Sequence, residues 1–341
     1  MKVDIKSMLP PELAEYFESI GAPAFRERQV FRWLHSGVKE FAEMTDLPVS
    51  LRSKLDNEFF ISVPLMLEKQ VSATDGTTKY LWGMADGAAV ESVIMDYEHG
   101  LSVCVSTQVG CRMGCVFCAS TIGGLSRNLA ASEMIDQVLF SQLDAGRRIS
   151  TVVLMGIGEP LDNMENVVRF IKLISHPGGM NIGARHLTLS TCGIIENIDK
   201  LAELDIKSTL AVSLHAPDNE TRSLLMPINA STGVDELLRA CGRYFRATGR
   251  RVTFEYALIK GVNDADRHAE LLSRRLIDSG GHLNLILLND VPERGFSPSS
   301  PERMKAFTRI LEQNGVNFTL RRRLGRDIDA ACGQLRRRGA D

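Results

Sequence analysis

The sequence predicts an α/β fold: a partial (β/α)6 barrel, preceded by a small N-terminal helical accessory module and a linking β-hairpin, and followed by a C-terminal tail. Three observations carry this. From Leu101 onward, apolar runs of five to seven residues alternate six times with stretches of helical periodicity. Short amphipathic helices fill the first 75 residues, and an Asp-Gly pair then separates two strand-like runs.

Residues 1–75 form the helical module. PELAEYFESIG has Pro11 in its first turn and ends at Gly21, and FRERQVFRWLHSG places Phe25, Val30, Phe31 and Leu34 at helical spacing before Gly37. Residues 76–98 form the hairpin linker, with TTKYLWGM and AAVESVIMDY on either side of Ala85-Asp86-Gly87. Residues 99–316 form the barrel. LSVCVS leads to SEMIDQVLFSQL, TVVLMG to ENVVRFIKLIS, HLTLST to NIDKLAEL, TLAVSL to DELLRACGRYFRAT, VTFEYALI to ADRHAELLSRRLI, and LNLILL to PERMKAFTRILEQNG. Near-continuous apolar runs joined through helices imply parallel strands covered on both faces. Residues 317–341 supply one more short strand, NFTLRRR, and the tail.

With 341 residues and 44% hydrophobic side chains, the chain can bury a full-sized core. No run approaches the ~18 consecutive apolar residues of a membrane span. The opening MKVDIKSMLPPELAEYF lacks the greasy stretch of a secretory signal, so a cytoplasmic location away from membranes is expected. A formal charge of −2 excludes a uniformly basic coat for nucleic acid, but local basic patches remain. Arginines 321, 322, 323, 326, 336, 337 and 338 face only Asp327, Asp329 and Asp341 in the last 21 residues. Arg26, Arg28, Arg32 and Lys39 offer a second patch; for both, solvated faces and phosphate contacts are the competing readings.

Seven cysteines, four of them between residues 104 and 118, make a poor disulfide framework. Cys111, Cys115 and Cys118 form C-x3-C-x2-C in the loop after the first barrel strand. A structural zinc needs four closed ligands, and no fourth lies at the usual short spacing. A four-iron cluster held by three thiolates keeps one iron open for a substrate. Iron–sulfur is favoured over zinc and over unliganded cysteines. Gly156 to Pro160, Ser190-Thr191, Ser213 to His215 and Asn289 all follow barrel strands, on the face where such folds bind ligands. Cys192 reads as a strand-end filler and Cys241 as core.

These motifs resemble the radical S-adenosylmethionine (SAM) superfamily. Within it, VCVSTQVGCRMGCVFCAS, MGIGEPLDN, LTLSTCGI, SLHAPDNETR, LMPIN and DIDAACGQL resemble the adenine carbon-2 methyltransferases of 23S ribosomal RNA and transfer RNA. The likeness runs from about Arg26 to Leu335. It implies a 4Fe–4S cluster on Cys111, Cys115 and Cys118 and a SAM pocket of Gly158, Glu159, Ser190, Ser213, Leu214, His215 and Asn289. It further implies two SAM molecules per turnover. Cys332 matches the residue that is methylated and then carries a methylene to the base. Cys104 matches the partner that resolves the resulting protein–RNA crosslink through a transient disulfide, and Glu91 a proton acceptor. Read alone, Cys104 would be a buried strand cysteine, Cys332 a thiol on a mobile tail and Glu91 a solvated strand residue. A low-potential donor such as flavodoxin or ferredoxin and a monomeric state belong to the same expectation. Two rivals stand beside it. The related resistance methylases act on carbon-8 and resemble GEAL where this chain has GEPL; a metal-binding RNA adaptor without turnover would leave the strand-end residues and Cys332 without a role.

Overall fold

The computed structural model of the protein describes residues 2–277 and 279–336; Arg337, Arg338 and Asp341 of the basic tail lie outside the described residues. The chain opens with β1 (Val3–Asp4), followed by helices α1 (Pro10–Ser19), α2 (Phe25–Leu34) and α3 (Val49–Glu58), and β2 (Phe59–Phe60) returns to pair in parallel with β1. Helix α1 starts where two prolines need no amide partner and where the Glu12 carboxylate accepts the Leu9 N–H at 2.7 Å. Its buried stripe, Leu13 and Phe17, meets Val30, Phe31 and Leu34 of α2 in the core.

Next come β3 (Leu65–Val71), β4 (Thr78–Gly83), β5 (Ala89–Tyr97) and β6 (Gly100–Cys104), an antiparallel meander. This differs from the sequence reading in two ways. Residues 65–71 are a strand, not part of a helical module. The hairpin around Asp86 is no separate linker either, because β5 pairs directly with β6 and so belongs to the main sheet. The reason is physical: Tyr80, Trp82, Val90 and Val93 are buried and need a sheet neighbour and a covering helix.

A short antiparallel pair, β7 (Gln108–Gly110) and β8 (Leu125–Asn128), brackets the cysteine loop. The barrel then runs α4 (Ala131–Ala145), β9 (Ile149–Leu154), α5 (Met164–Ser175), β10 (Leu187–Thr191), α6 (Ile195–Glu203), β11 (Thr209–Ser213), α7 (Asn219–Leu225), α8 (Val234–Thr248), β12 (Thr253–Leu258), α9 (Asp266–Leu276), β13 (His282–Leu287), α10 (Pro301–Gln313) and β14 (Phe318–Leu320). All six expected βα units are present, with α7 as an extra helix. Sheet order is β14-β13-β12-β11-β10-β9-β6-β5-β4-β3, parallel from β6 to β14. Strands β6 and β14 do not pair, so the barrel stays open. No helix among the described residues is long and apolar enough to cross a membrane.

Candidate active site

The C-terminal ends of the parallel strands surround a cavity of about 1010 Å³, its solvent-filled mouth included. The cysteine loop forms one wall. It is pinched at its neck: Gly110 has φ +80°, and a Cβ there would lie 1.9 Å from the Gly124 carbonyl oxygen. Inside the loop, the Thr121 hydroxyl donates to the carbonyls of Cys115 (3.1 Å) and Cys118 (3.0 Å). Cys111, Cys115 and Cys118 all line the cavity, and all seven cysteines are free thiols. Burial pushes the Cys111 thiol up to about 12, and raises Cys115 and Cys118 as well. Where burial disfavours the charged form, thiolates at these positions call for a cationic partner.

Opposite the loop lies the turn after β9. Gly158, at φ +110°, passes so close to Gln108 that a Cβ would meet its side chain at 2.7 Å. Glu159 is buried, and both its oxygens accept backbone N–H groups, from Leu161 at 3.0 Å and from Cys192 at 2.7 Å. Its carboxylate thereby ties two strand-end turns together; burial raises its pKa while the Cys192 N–H opposes that. Ser190, Ser213, His215 and Asn289 line the same cavity, but Leu214 does not: it is fully buried in the core. His215 adopts φ +54°, accepts the Ala257 N–H on Nδ1 at 3.0 Å, and meets the Phe117 ring edge-on at 5.1 Å. Asn289 donates to the Cys332 carbonyl at 3.1 Å, while its Oδ1 is buried without a partner.

Cys332 lies where this cavity meets a second one. It lines both, and the second is also lined by Cys104, Tyr97 and Met155. Cys104 sits mid-sheet, opposite Val93 of β5 and Val153 of β9, and burial, with Cys332 next in weight, pushes its thiol up to about 12. The tail holding Cys332 is strapped down, contrary to the mobile tail read from sequence. Gly333 O accepts the Ala119 N–H at 2.8 Å, Leu335 O accepts the Ser120 hydroxyl at 2.7 Å, and the Gln334 amide donates to Asp290 O at 2.9 Å. Asp327 accepts from Ser72 Oγ (2.7 Å), Ala73 N (2.9 Å) and Thr74 Oγ1 (3.0 Å) in the β3–β4 turn.

Glu91 is buried, not solvated. Its carboxylate lies 3.5 Å from the Lys79 ammonium and accepts the Arg336 N–H at 2.9 Å, and it lines neither cavity. Arg321, read as a phosphate contact, points inward instead: it lines both cavities and pairs with Glu255 at 3.5 Å. Arg322 and Arg326 are exposed, as are Arg28, Arg32 and Lys39, whereas Arg26 lies over the Phe25 ring and bonds Gln29.

Sequence reasoning missed Cys192 and Glu255, which line the cavity, and Arg222, bonded to the Cys192 carbonyl. Glu255 is met by the Asn284 and Arg321 side chains and Arg222 by carbonyls of several separate turns, so no local spacing signals them.

The residues present fit a cluster and SAM. Cys111, Cys115 and Cys118 are free thiols lining one cavity, the donor type and number that leave one iron of a four-iron cluster open. Asn289 Oδ1 is an acceptor waiting for a donor.

Comparison with known proteins agrees with this geometry. Residues 105–272 match the radical SAM superfamily, and residues 3–61 match the ribosomal RNA large subunit methyltransferase N-terminal domain. The chain is 48% identical over 340 residues to a probable dual-specificity RNA methyltransferase RlmN of Alkaliphilus metalliredigens, covering 100% of this chain and 97% of the relative. It is 51% identical to the protein of the same name from Pelotomaculum thermopropionicum, covering 99% and 92%. A crystal structure of a radical SAM methyltransferase from Sphaerobacter thermophilus superposes with a TM-score of 0.92 at 43% identity, over 98% of this chain and 99% of that one. The chain therefore belongs to the RlmN family of radical SAM RNA methyltransferases.

Proposed function

We propose that this protein methylates carbon-2 of a specific adenosine in 23S ribosomal RNA and of the adenosine 3′ of the anticodon in transfer RNAs. The observation that carries the reading is Cys332, the one thiol shared by the cavity of Cys111, Cys115 and Cys118 and the cavity of Cys104 among the described residues. Carbon-2 of adenine has no lone pair, so it cannot displace a methyl group from a sulfonium as an amine would, and a radical route is required.

When bound, the 4Fe–4S cluster and SAM supply a 5′-deoxyadenosyl radical, the electron coming from a flavodoxin- or ferredoxin-type donor. Cys111, Cys115 and Cys118 hold the cluster. Gly158, Glu159, Ser190, Ser213, His215 and Asn289 shape the SAM pocket, with Leu214 contributing backbone only. Cys332 first takes a methyl group from one SAM, losing its thiol proton. Loss of a hydrogen atom from that S-methyl group, at the cost of a second SAM, turns its carbon into the species that bonds to carbon-2.

Cys104 ends the crosslink. It takes part in removing the carbon-2 proton as the adduct's unpaired electron passes to the oxidised cluster that would be held there, and its thiolate sulfur then bonds to that of Cys332 as the carbon–sulfur bond opens, the released carbon taking up a proton to become the methyl group. The disulfide left behind is reopened by a two-electron reductant. Glu91, facing the Arg336 N–H and Lys79, is better suited to holding the tail than to accepting the carbon-2 proton. The target base is unstacked and inserted at the barrel mouth, at a cost of a few kcal/mol that phosphate contacts offset. Arg28, Arg32 and Lys39, with Arg322 and Arg326, are the exposed cations for that work in a cytoplasmic, monomeric enzyme.

Reconstituted Cys104→Ala enzyme, given reductant, SAM and an RNA substrate, should accumulate covalent protein–RNA adduct and release almost no methyladenosine. Free methylated RNA at the wild-type rate overturns the assignment, and mass spectrometry of the nucleoside separates carbon-2 from carbon-8.

A further inference from the structure

Arg222 on α7 has no exposed surface. Its five N–H groups are all used. Nε donates to Leu214 O at 3.2 Å, Nη1 to Asn229 Oδ1 at 3.1 Å and Thr232 O at 3.0 Å, and Nη2 to Cys192 O at 2.7 Å and Ser213 O at 3.3 Å. Every one of these acceptors is neutral. No carboxylate forms an ion pair with Arg222 among the described residues, although buried arginines ordinarily have one. A full charge taken out of water without a counter-ion is costly, so something anionic must offset it in the working protein.

The direction to look is set by α7 itself. The Leu225 carbonyl at its end accepts the Val116 N–H of the cysteine loop at 3.0 Å. Leu225 and Met226 pack with Cys115 in one apolar cluster, and a Cβ on Gly114 would touch Pro227 at 3.3 Å. The guanidinium thus stands directly behind the loop, bonded to the carbonyl of Cys192, which lines the cavity.

We propose that Arg222 is the built-in counter-charge of the iron–sulfur cluster: a positioning residue whose cation offsets the net negative charge of a three-thiolate cluster and raises its reduction potential. The inference rests on reading Cys111, Cys115 and Cys118 as the cluster ligands. Three thiolates outweigh the core charge by one unit, and one-electron reduction makes the excess two. A fixed cation in a low-dielectric wall favours the more negative, reduced state. The electron comes from an external low-potential donor, no bond forms or breaks in this step, and Arg222 stays protonated throughout. Three of these bonds hold the ends of β10 and β11 and two hold the segment between α7 and α8, so charge and scaffold must be separated by experiment.

The test is an EPR-monitored reductive titration, with dithionite, of the anaerobically reconstituted wild-type, Arg222→Lys and Arg222→Gln proteins. Gln should lower the one-electron reduction equilibrium at least tenfold, a shift of about 59 mV to more negative potential. Lys, which keeps the charge but cannot fill five acceptors, should stay within about threefold of wild type. An unshifted Gln cluster, or Lys and Gln shifted alike, overturns the inference. If Gln takes up no cluster, iron content decides: Lys loaded like wild type supports the charge, and Lys as empty as Gln overturns it. A wild-type chain that binds no cluster overturns the ligand reading and this inference with it. A wild-type cluster indifferent to Arg222→Gln overturns this inference alone.

Discussion

His35 and His215 are two imidazoles that the fold keeps uncharged. Burial, ahead of Lys6 and His176, pushes His35 down to about 3, and burial, ahead of Arg222, does the same to His215. His35 stacks on Phe31 with ring centroids 4.3 Å apart and leaves Nδ1 buried without a partner. An unfolded chain protonates each ring near pH 6.5, whereas the native state waits until about pH 3. Their contribution to stability is therefore full above pH 6.5 and is lost as pH falls from there toward 3, by up to ~1.4 kcal/mol per pH unit for each ring. His35→Gln should flatten the acid side of the stability curve by roughly that slope between pH 6 and 4, measured by urea unfolding at a series of pH values. A curve parallel to wild type would mean that the native His35 ring is charged.

Among the elements, the tail segment has the most unusual tethering. It has little regular structure beyond one turn of 3₁₀ helix at 326–328, and it is held by side chains from four distant places: the β3–β4 turn, Lys79 with Glu91, the cysteine loop, and the segment after β13. Asp327 alone accepts three bonds, and Asp75 accepts the Gly325 N–H at 2.9 Å. Asp327→Ala removes all three of these acceptor contacts at once and should loosen the strap. Amide hydrogen exchange over residues 325–336 should then speed up at least tenfold while the β9–β12 amides stay protected. Unchanged exchange in the tail would place its anchorage elsewhere. This strap could not be read from the sequence, since DIDAACGQL carries no periodicity and its partners lie from 44 to 255 residues upstream. The barrel elements could be, because each strand is a short run buried on both faces and each helix carries its own stripe. Strand β3 escaped notice for the opposite reason: LMLEKQV is an edge strand whose Leu65, Leu67 and Val71 remain exposed, so no alternation marks it. The cavity divides in the same way. Cysteines and glycines close together in sequence announce themselves, whereas Arg222, Glu255 and Cys192 acquire meaning only from groups the fold brings to them.

At the level of the whole molecule, the N-terminal helices are built into the barrel. Ile5, Leu13, Phe17 and Phe31 belong to the same continuous core as Val103, Val152 and Leu210. A fully buried ion pair pins the junction: the Lys6 ammonium meets Asp136 of α4 at 2.5 Å, and the Ser62 hydroxyl donates to the other carboxylate oxygen at 2.6 Å. Asp136→Ala strands the Lys6 charge and should cost about 3–5 kcal/mol of global stability, measured by chemical unfolding of the full chain. The Lys6→Met, Asp136→Leu double variant should recover most of that loss. If the single and double variants are equally unstable, packing and not charge holds the junction.

The Asp327 strap joins a late stretch of chain to a turn that left the ribosome some 250 residues earlier. Since each strand of the sheet from β3 to β14 also lies beside its predecessor in that sheet, the scaffold can be laid down in order during translation. The sulfur at position 332 follows every strand of that scaffold. On the proposed reading, a nascent chain that stalls short of position 332 carries the barrel without the thiol to be armed, and its product should be inert.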